Sequence, residues 1–190
     1  MFLPGKPSEE RIRQFINSQR ELPFSYPEVG ATQRALPDGY TIDHNRVKLG
    51  TGLELFKQAA LSIGHWKQFD LGWVKIIPDR THVEDGVVVA ILTRHFGFWS
   101  LNACRVVYLI DEDEPVKKFG FAYGTLSSHV ECGQERFTIE CHSADDSVWY
   151  DILAFSRPNK LLFKVGRPLI QVLQKRFARD SLARMSRLHN

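Results

Sequence analysis

The sequence predicts an α+β fold that combines an antiparallel sheet with a long C-terminal helix and short helices near the N-terminus. From residue 72 to 156, short runs rich in Val, Ile, Phe and Tyr alternate with turns, and no helical pattern separates them. Beyond residue 158 the apolar spacing becomes that of a helix. Strands that follow one another without an intervening helix indicate an antiparallel meander rather than βαβ units.

The N-terminal elements are predicted from capping residues and apolar spacing. Ser8 precedes two glutamates, which favours a helix over residues 8–20 with acids at the positive end of its dipole. The stretch 22–39 is rich in proline and glycine and predicts an irregular loop. A strand is predicted over 40–49, and a second helix over 53–66 because its apolar residues recur on one side.

The remaining strands are predicted at 72–77, 86–96, 100–110, 117–125, 133–142 and 147–156. In the run ERFTIECH the side chains of Phe137, Ile139 and Cys141 face one way, and the polar side chains between them face the other. Such alternation is typical of a β-strand.

The C-terminal helix is predicted over 158–187. Its predicted apolar face consists of Leu162, Val165, Leu169, Val172, Leu173 and Phe177. Its predicted polar face consists of Lys160, Lys164, Arg167, Gln171 and Lys175. Gly166 and Pro168 are expected to bend or split this helix, because proline lacks the backbone donor and clashes with the preceding turn.

Length and composition indicate one globular domain. Of the 190 residues, 43% are hydrophobic and 25% are charged. No apolar run approaches the ~20 residues of a membrane span or forms a signal peptide, so we expect a cytoplasmic protein. The expected single domain, 1–190, comprises a helix and loop (1–39), a sheet with one inserted helix (40–157) and the C-terminal helix (158–187). The cysteines are expected to be reduced, mostly buried thiols, at Cys104, Cys132 and Cys141.

Charge is distributed unevenly along the chain. Residues 158–190 carry a formal charge of +7, and residues 1–157 carry −4. The net charge of +3 is too small to imply a nucleic-acid partner. The basic face of the C-terminal helix is therefore interpreted either as a solvated surface or as a docking surface for an anionic partner.

Several longer motifs resemble one uncharacterised family of bacteria and plants that is known only as a domain of unknown function. They are TRHFGFWSLNACRVVY (93–108), FGFAYGTL (119–126), ERF (135–137), VWYDILAFSRP (148–158) and LQKRFARDS (173–181). The order of elements also resembles the helix-grip arrangement of the START and birch-pollen-allergen-like (SRPBCC) superfamily. This resemblance, over residues 40–185, implies a curved sheet of six or seven strands wrapped around the C-terminal helix, with an internal cavity. It implies no reaction.

Common cofactor and metal motifs are absent from the sequence. KLGTGLELF places Gly50 and Gly52 between a strand and a helix, but Leu55 stands where a dinucleotide-binding motif needs its third glycine. There is no P-loop, HExxH or GxSxG motif. The seven histidines show no spacing typical of metal ligands. We therefore expect no cofactor and no metal.

Polar side chains inside apolar strands are the candidate functional groups. His95 lies beside several aromatic residues, either as a hydrogen-bonded rim residue or as a polar group facing a ligand. Arg105 interrupts an apolar strand, so it is expected to pair with Glu135 or Asp151 or to bind a ligand carboxylate. The predicted ligand-binding residues are His95, Phe98, Trp99, Asn102, Arg105, Tyr108, Tyr123, Glu135 and Tyr150.

These features favour a module that holds an apolar or aromatic small molecule or a lipid between the sheet and the C-terminal helix. One alternative is an enzyme (a cyclase, hydrolase or isomerase) in the same pocket, with His95 or Glu135 as general base and Arg105 as electrostatic stabiliser. Another is an interaction protein that uses the basic helix. No nucleic-acid partner is expected, no residue is assigned as catalytic, and the oligomeric state stays open.

Overall fold

The computed structural model describes residues 1–78, 81–95, 97–159 and 167–189. The described strands are β1 Phe2–Leu3, β2 Thr41–Thr51, β3 Val74–Ile77, β4 Val88–His95, β5 Phe98–Glu112, β6 Lys117–Thr125, β7 Glu131–His142 and β8 Ser147–Pro158. The described helices are α1 Glu9–Gln19, α2 Leu53–Gly64 and α3 Arg167–His189. No helix in these ranges is long and apolar enough to span a membrane.

The strands form one antiparallel sheet in the order β2-β8-β7-β6-β5-β4-β3, and β1 pairs separately with β5. From β3 to β8 the chain runs as a meander, and β2 adds to β8 at the end. The predicted α+β class and the predicted curved antiparallel sheet with a C-terminal helix are confirmed. The two-residue strand β1 was not predicted, because two residues show no alternation.

Two mid-strand glycines allow neighbouring backbones to approach closely. A Cβ atom at Gly120 would lie 2.3 Å from the carbonyl oxygen of Phe137, and one at Gly133 would lie 2.0 Å from that of Phe155. Any other residue would have to push the neighbouring strand away. Glycine in a strand interior is typical of tight bends, and these positions fit the curvature of the sheet.

The sheet has two covered faces. The inner face packs against α2 and α3, and its core includes the fully buried Phe121, Phe137 and Ile139. On the outer face, Ile12 and Ile16 of α1 pack against β4 and β5. The outer face also carries the irregular segment between α1 and β2. Because side chains alternate along a strand, each strand sends every second residue to the inner face.

Of the predicted apolar positions of α3 whose side chains are described, Leu173 and Phe177 line the cavity, and Val172 does not face the sheet. Met185 and Ser181 are buried and Phe177 is half-buried, whereas Val172 is 59% exposed. The prediction for Val172 is wrong. Phe177, Ser181 and Met185, spaced four residues apart, form the side of α3 that faces the sheet, and Val172 lies outside this row. Of the other predicted positions, residues 160–166 lie outside the described chain, and so do the side chains of residues 167–170, including Leu169.

Candidate functional site

A cavity of about 220 Å³ lies between the inner face of the sheet and α3. Alternate residues of β2, β4, β5, β6, β7 and β8 form its floor, and Leu173, Gln174, Phe177 and Ala178 of α3 form its roof. An engineered cavity of about 150 Å³ is enough to bind benzene in a protein core. The space therefore suits a ligand with one aromatic ring and a short substituent.

Aromatic rings form much of the cavity wall. The rings of Phe69 and Phe177 lie 4.9 Å apart between centroids, which joins the β3 side of the molecule to α3. Phe2 meets Phe98 edge to face at 5.8 Å near the β4–β5 end. Trp73 completes this wall, and its indole Nε1 donates to Asp180 of α3 over 3.0 Å. The wall thus suits an aromatic ligand.

His95, Ser100 and Asn102 form a polar cluster on the cavity wall at β4 and β5. His95 Nε2 lies 2.7 Å from Ser100 Oγ, and Asn102 Nδ2 lies 3.5 Å from the same oxygen. Burial lowers the pKa of His95, which keeps its ring neutral near pH 7. His95 Nδ1 and Asn102 Oδ1 are buried and have no hydrogen-bond partner among the described residues. Buried polar atoms are normally satisfied, so both atoms indicate a missing partner.

Three carboxyl groups lie on the opposite side of the cavity. Asp43 of β2 and Glu135 of β7 both pair with Ala154 of β8, and Glu135 pairs in turn with Tyr123 of β6. These four residues therefore form one row across the sheet. The Tyr123 hydroxyl donates to Glu135 Oε2 over 2.6 Å. Glu131, four residues before Glu135 on the same face, accepts from Gln174 Nε2 of α3 over 2.7 Å.

Burial makes the two glutamates unusually basic. Desolvation, with smaller contributions from the charges of Glu135 and Asp43, raises the pKa of Glu131 to about 8. Desolvation raises the pKa of Glu135 to about 7, although the hydrogen bond from Tyr123 opposes this shift. Both groups therefore bind protons much more strongly near neutral pH than a carboxyl in water.

His129, in the connection between β6 and β7, completes this side of the cavity. Its Nδ1 accepts a hydrogen bond from the backbone N–H of Glu131 over 2.9 Å, so the neutral ring carries its hydrogen on Nε2. Burial, followed by repulsion from the N-terminal ammonium group, lowers the pKa of His129 to about 3. The ring is therefore uncharged at physiological pH.

Five of the nine predicted ligand-binding residues line this cavity: His95, Phe98, Asn102, Tyr123 and Glu135. Trp99 packs with α1 on the outer face. Tyr108 also faces outward, because a β-bulge between Val106 and Tyr108 reverses the alternation of β5 there. Its hydroxyl lies 2.6 Å from Thr32 Oγ1. Tyr150 is on the inner face but is fully buried beyond the cavity, with its hydroxyl 2.9 Å from Ser181 Oγ of α3.

The predicted pairing of Arg105 with a carboxylate is wrong. Arg105 lies on the outer face, because Ser100 and Asn102 of the same strand face inward. Its Nη2 donates to the backbone carbonyls of Arg20 and Leu22, after the end of α1. Arg105 therefore holds the start of the irregular segment to the sheet and is not available as an electrostatic stabiliser in the cavity.

Asp151, the other proposed partner of Arg105, has its own cation on the outer face. Arg136 Nη2 lies 3.2 Å from Asp151 Oδ1, and His44 Nε2 lies 2.6 Å from Asp151 Oδ2. The Asp151 side chain is only 4% exposed, so these contacts satisfy a buried carboxylate.

Several cavity residues were not predicted from the sequence, and among them are Asp43, His129, Glu131 and Gln174. For Glu131 a signal was available, since it stands four residues before Glu135 and period-two alternation puts both on one face. It was missed because the predicted strand began at residue 133, two residues later than β7 does. Asp43 and Gln174 carry no such signal, because β2 and α3 meet the cavity only through tertiary packing.

Solved structures show the same overall fold. The hypothetical protein jhp0584 from Helicobacter pylori aligns with a TM-score of 0.51 and 11% identity, covering 88% of this chain and 96% of that chain. This likeness concerns the fold alone. Bet v1-like structures also align, among them norcoclaurine synthase from Thalictrum flavum, with a TM-score of 0.48 and 12% identity over 81% of this chain and 98% of that chain.

Sequence comparison shows the family. The chain is 37% identical to a UPF0548 protein of Dictyostelium discoideum over 97% of this chain and 94% of the relative. It is 32% identical to a UPF0548 protein of Arabidopsis thaliana over 93% of this chain and 92% of the relative. The family model described as "Domain of unknown function (DUF1990)" matches residues 25–184. The chain therefore belongs to the DUF1990 family, as its motifs predicted.

Proposed function

We propose that this domain binds a small, largely aromatic organic molecule in the cavity between the sheet and α3. The observation that carries the proposal concerns two cavity-lining residues, His95 and Asn102, each of which has a buried polar atom (Nδ1 and Oδ1) without a partner among the described residues. A buried polar atom without a partner costs about 1–3 kcal/mol, so a ligand that pairs with these atoms is stabilised by their contacts. The surrounding aromatic wall supplies apolar contact area.

A thermal-shift titration with ethylbenzene tests this proposal, because ethylbenzene is neutral and small enough for the cavity. Binding only to the folded state raises Tm with ligand concentration. The variant Ala154→Phe places a ring in the cavity floor and should abolish the shift. Leu153→Phe, on the outer face of the same strand, should preserve it. An unchanged Tm in the wild-type protein up to the solubility limit of ethylbenzene would contradict the proposal.

Both variants must first be shown to fold, by circular dichroism. If Ala154→Phe does not fold, Ala178→Leu fills the cavity from α3 instead and should weaken the shift. Native mass spectrometry of the purified wild-type protein gives a second readout, because a bound metabolite adds its own mass to the protein. An adduct lost on denaturation would identify the natural ligand.

An enzyme in the same cavity is the second candidate. It is favoured by Glu135, whose pKa of about 7 suits general acid–base work at neutral pH. Tyr123, hydrogen-bonded to that carboxyl, would position it. The chemical identity of a ligand recovered after incubation, read from its mass and its NMR spectrum, separates the two functions. An unchanged compound indicates binding, and a changed compound or isomer whose formation disappears in Glu135→Gln indicates turnover.

The basic surface of α3 is a weaker basis for function than the sequence suggested. Arg176 and Arg179 both pair with Asp180, at 3.4 and 3.0 Å, and Arg184 pairs with Asp70 at 2.9 Å. These contacts partly neutralise the arginines of the described helix. The cavity is therefore the better-supported site.

A further inference from the structure

We infer that the ligand is a cation, an arylalkylamine whose aliphatic ammonium group binds to the carboxyls of Glu131, Glu135 and Asp43. This inference rests on the proposed function and names the ligand class for the same cavity. It follows from the acidic side chains on the cavity wall and from the contrast with acids on the outer face, which are paired with arginines.

Acids, and no lysine or arginine, stand among the described residues of the cavity wall. Asp43, Glu131 and Glu135 line it. His95 and His129 also line it, but both rings are neutral near pH 7. An anionic ligand would therefore find no basic side chain on the described wall, whereas an ammonium group would meet three acids, of which the two glutamates release protons as it binds.

Buried acids on the outer face show the contrast. Asp151 is paired with Arg136 at 3.2 Å, and Glu140 with Arg46 at 3.3 Å. The inner-face glutamates have neutral partners instead. Glu131 is bonded to Gln174, and Glu135 to Tyr123. Because half-buried carboxylates without a cation are costly, the cavity acids lack the partner that the outer-face acids possess.

Hydrogen-bonding groups on the cavity wall support a ligand with donors. Asn102 Oδ1, on the side opposite the acids, can only accept, and it is buried without a partner among the described residues. His129 is nine-tenths buried and lines the cavity. Its Nδ1 accepts from the Glu131 backbone N–H. The wall therefore offers acceptors, in addition to the carboxyls, to a ligand with hydrogen-bond donors.

The ring contacts give the orientation of such a ligand. The rings of Phe69 and Tyr123 lie 6.0 Å apart between centroids, and the Tyr123 hydroxyl donates to Glu135. The ring of Phe177 lies 4.9 Å from that of Phe69. A ligand ring against Phe69 and Phe177 can therefore direct a short amine chain to the carboxyls.

Three probes with the same ring test the charge preference: benzylammonium, its neutral isostere ethylbenzene, and the slightly larger anion phenylacetate. Their ring is the same, and the charge of the substituent is positive, zero or negative. We expect benzylammonium to bind at least about tenfold more tightly than ethylbenzene at pH 8, because charge-assisted hydrogen bonds are stronger than apolar contacts. Phenylacetate should bind most weakly. Isothermal titration calorimetry measures the three affinities.

The variants Glu131→Gln and Glu135→Gln remove the charges while keeping an oxygen that accepts from Gln174 or Tyr123. The double variant should bind ethylbenzene as the wild type does and should lose the preference for benzylammonium. Glu140→Gln is the matched control: it makes the same charge change on the same strand but on the outer face, and it should keep the preference. Calorimetry in two buffers of different ionisation enthalpy should show proton release when benzylammonium binds.

The outcomes separate this inference from the proposed function. If ethylbenzene binds and benzylammonium binds no better, the cavity is a neutral aromatic site, and the inference is overturned while the proposed function stands. If the preference persists in the double glutamine variant and also when Asp43→Asn is added, the carboxyls are not the cation site and the inference is also overturned. If none of the three probes binds, both proposals fail.

Discussion

Tyr123 and Glu135 are directly opposite each other on β6 and β7, and the tyrosine hydroxyl donates to the carboxyl over 2.6 Å. Antiparallel register thus builds the hydrogen bond at the centre of the cavity floor. A strand slip of one residue would send both side chains to the outer face.

The hydrogen bond from Tyr123 lowers the pKa of Glu135, against the larger effect of burial. In Tyr123→Phe the carboxylate loses this donor, so the pKa of Glu135 should rise above its value of about 7. A carbon-detected NMR titration of the glutamate side chains measures this shift. Tyr150→Phe, which removes a hydroxyl bonded to Ser181, should leave the pKa of Glu135 where it is. A lower pKa in Tyr123→Phe would contradict the assigned hydrogen bond.

Stability should fall as pH rises from about 4.5 to about 8. Glu131 and Glu135 have pKa values of about 8 and about 7 in the folded protein, above the ordinary value of 4.5. The folded state therefore binds more protons than the unfolded chain, and this stabilisation is lost as pH rises through the folded pKa values. From pH 6.5 to 8.5 we expect the free energy of unfolding to fall by about 1–3 kcal/mol.

Urea unfolding at pH 6.5, 7.5 and 8.5 measures this slope. The double variant Glu131→Gln/Glu135→Gln should flatten it, because amides do not titrate. Glu140→Gln should keep it. A wild-type slope that survives in the double variant would assign the effect to other groups.

On the acid side, His129 should produce the opposite slope. The pKa of His129 is about 3 in the folded protein, below the ordinary value of 6.5. Between these two pH values the ring is protonated in the unfolded chain and neutral in the folded protein. Its contribution is present above pH 6.5 and is lost as pH falls toward 3. His129→Asn keeps an oxygen for the Glu131 N–H and does not titrate. Between pH 6.5 and 5 the change in the free energy of unfolding should be about 1–2 kcal/mol more favourable for His129→Asn than for the wild type, because the glutamates titrate alike in both.

The matched control is His82→Asn, since His82 is exposed. Chemical denaturation at the two pH values should show the same change in the free energy of unfolding for His82→Asn as for the wild type. An equal change for His129→Asn and the wild type would mean that His129 is solvated in the folded protein.

Truncation of two nearby apolar residues of α3 to alanine should have very different effects on the free energy of unfolding. Phe177 contacts the rings of Phe69 and Phe137, at 4.9 and 6.4 Å between centroids, whereas Val172 is 59% exposed. Phe177→Ala should lower the free energy of unfolding by about 3 kcal/mol, because it leaves a void against the core. Val172→Ala should stay within about 0.5 kcal/mol. If equilibrium denaturation shows similar losses of unfolding free energy for both variants, α3 must turn a different face to the sheet.

Arg136 and Arg105 should behave differently although both lie on the outer face. Arg136→Met removes the cation beside the buried Asp151 and should cost about 3 kcal/mol, much of which Asp151→Asn should recover. Arg105→Met removes bonds to two backbone carbonyls and should cost roughly 1 kcal/mol. Combined with Glu135→Gln it should be additive. A coupling energy between Arg105 and Glu135 in that double-mutant cycle would contradict their placement on opposite faces and would support the pairing that the sequence suggested.

The sequence by itself determined the elements and their order. Alternation of apolar and polar residues predicted β6 at its observed bounds and the other long strands within two residues of theirs. The change to helical spacing near the C-terminus predicted α3, and the family motifs implied the curved sheet and its helix. These features are local, since the period of a strand or a helix is written in consecutive residues.

Only the tertiary structure decided which polar groups share the cavity. The bulge after Val106 turns Tyr108 outward, and the alternation of residues in the sequence does not predict it. Arg105 found backbone carbonyls of a segment more than 80 residues away. Asp43 and Glu135 meet through β8 although 92 positions separate them in the sequence. Strand pairing and helix docking join residues that are distant in the chain, so the charge balance of the cavity is a property of the folded molecule alone.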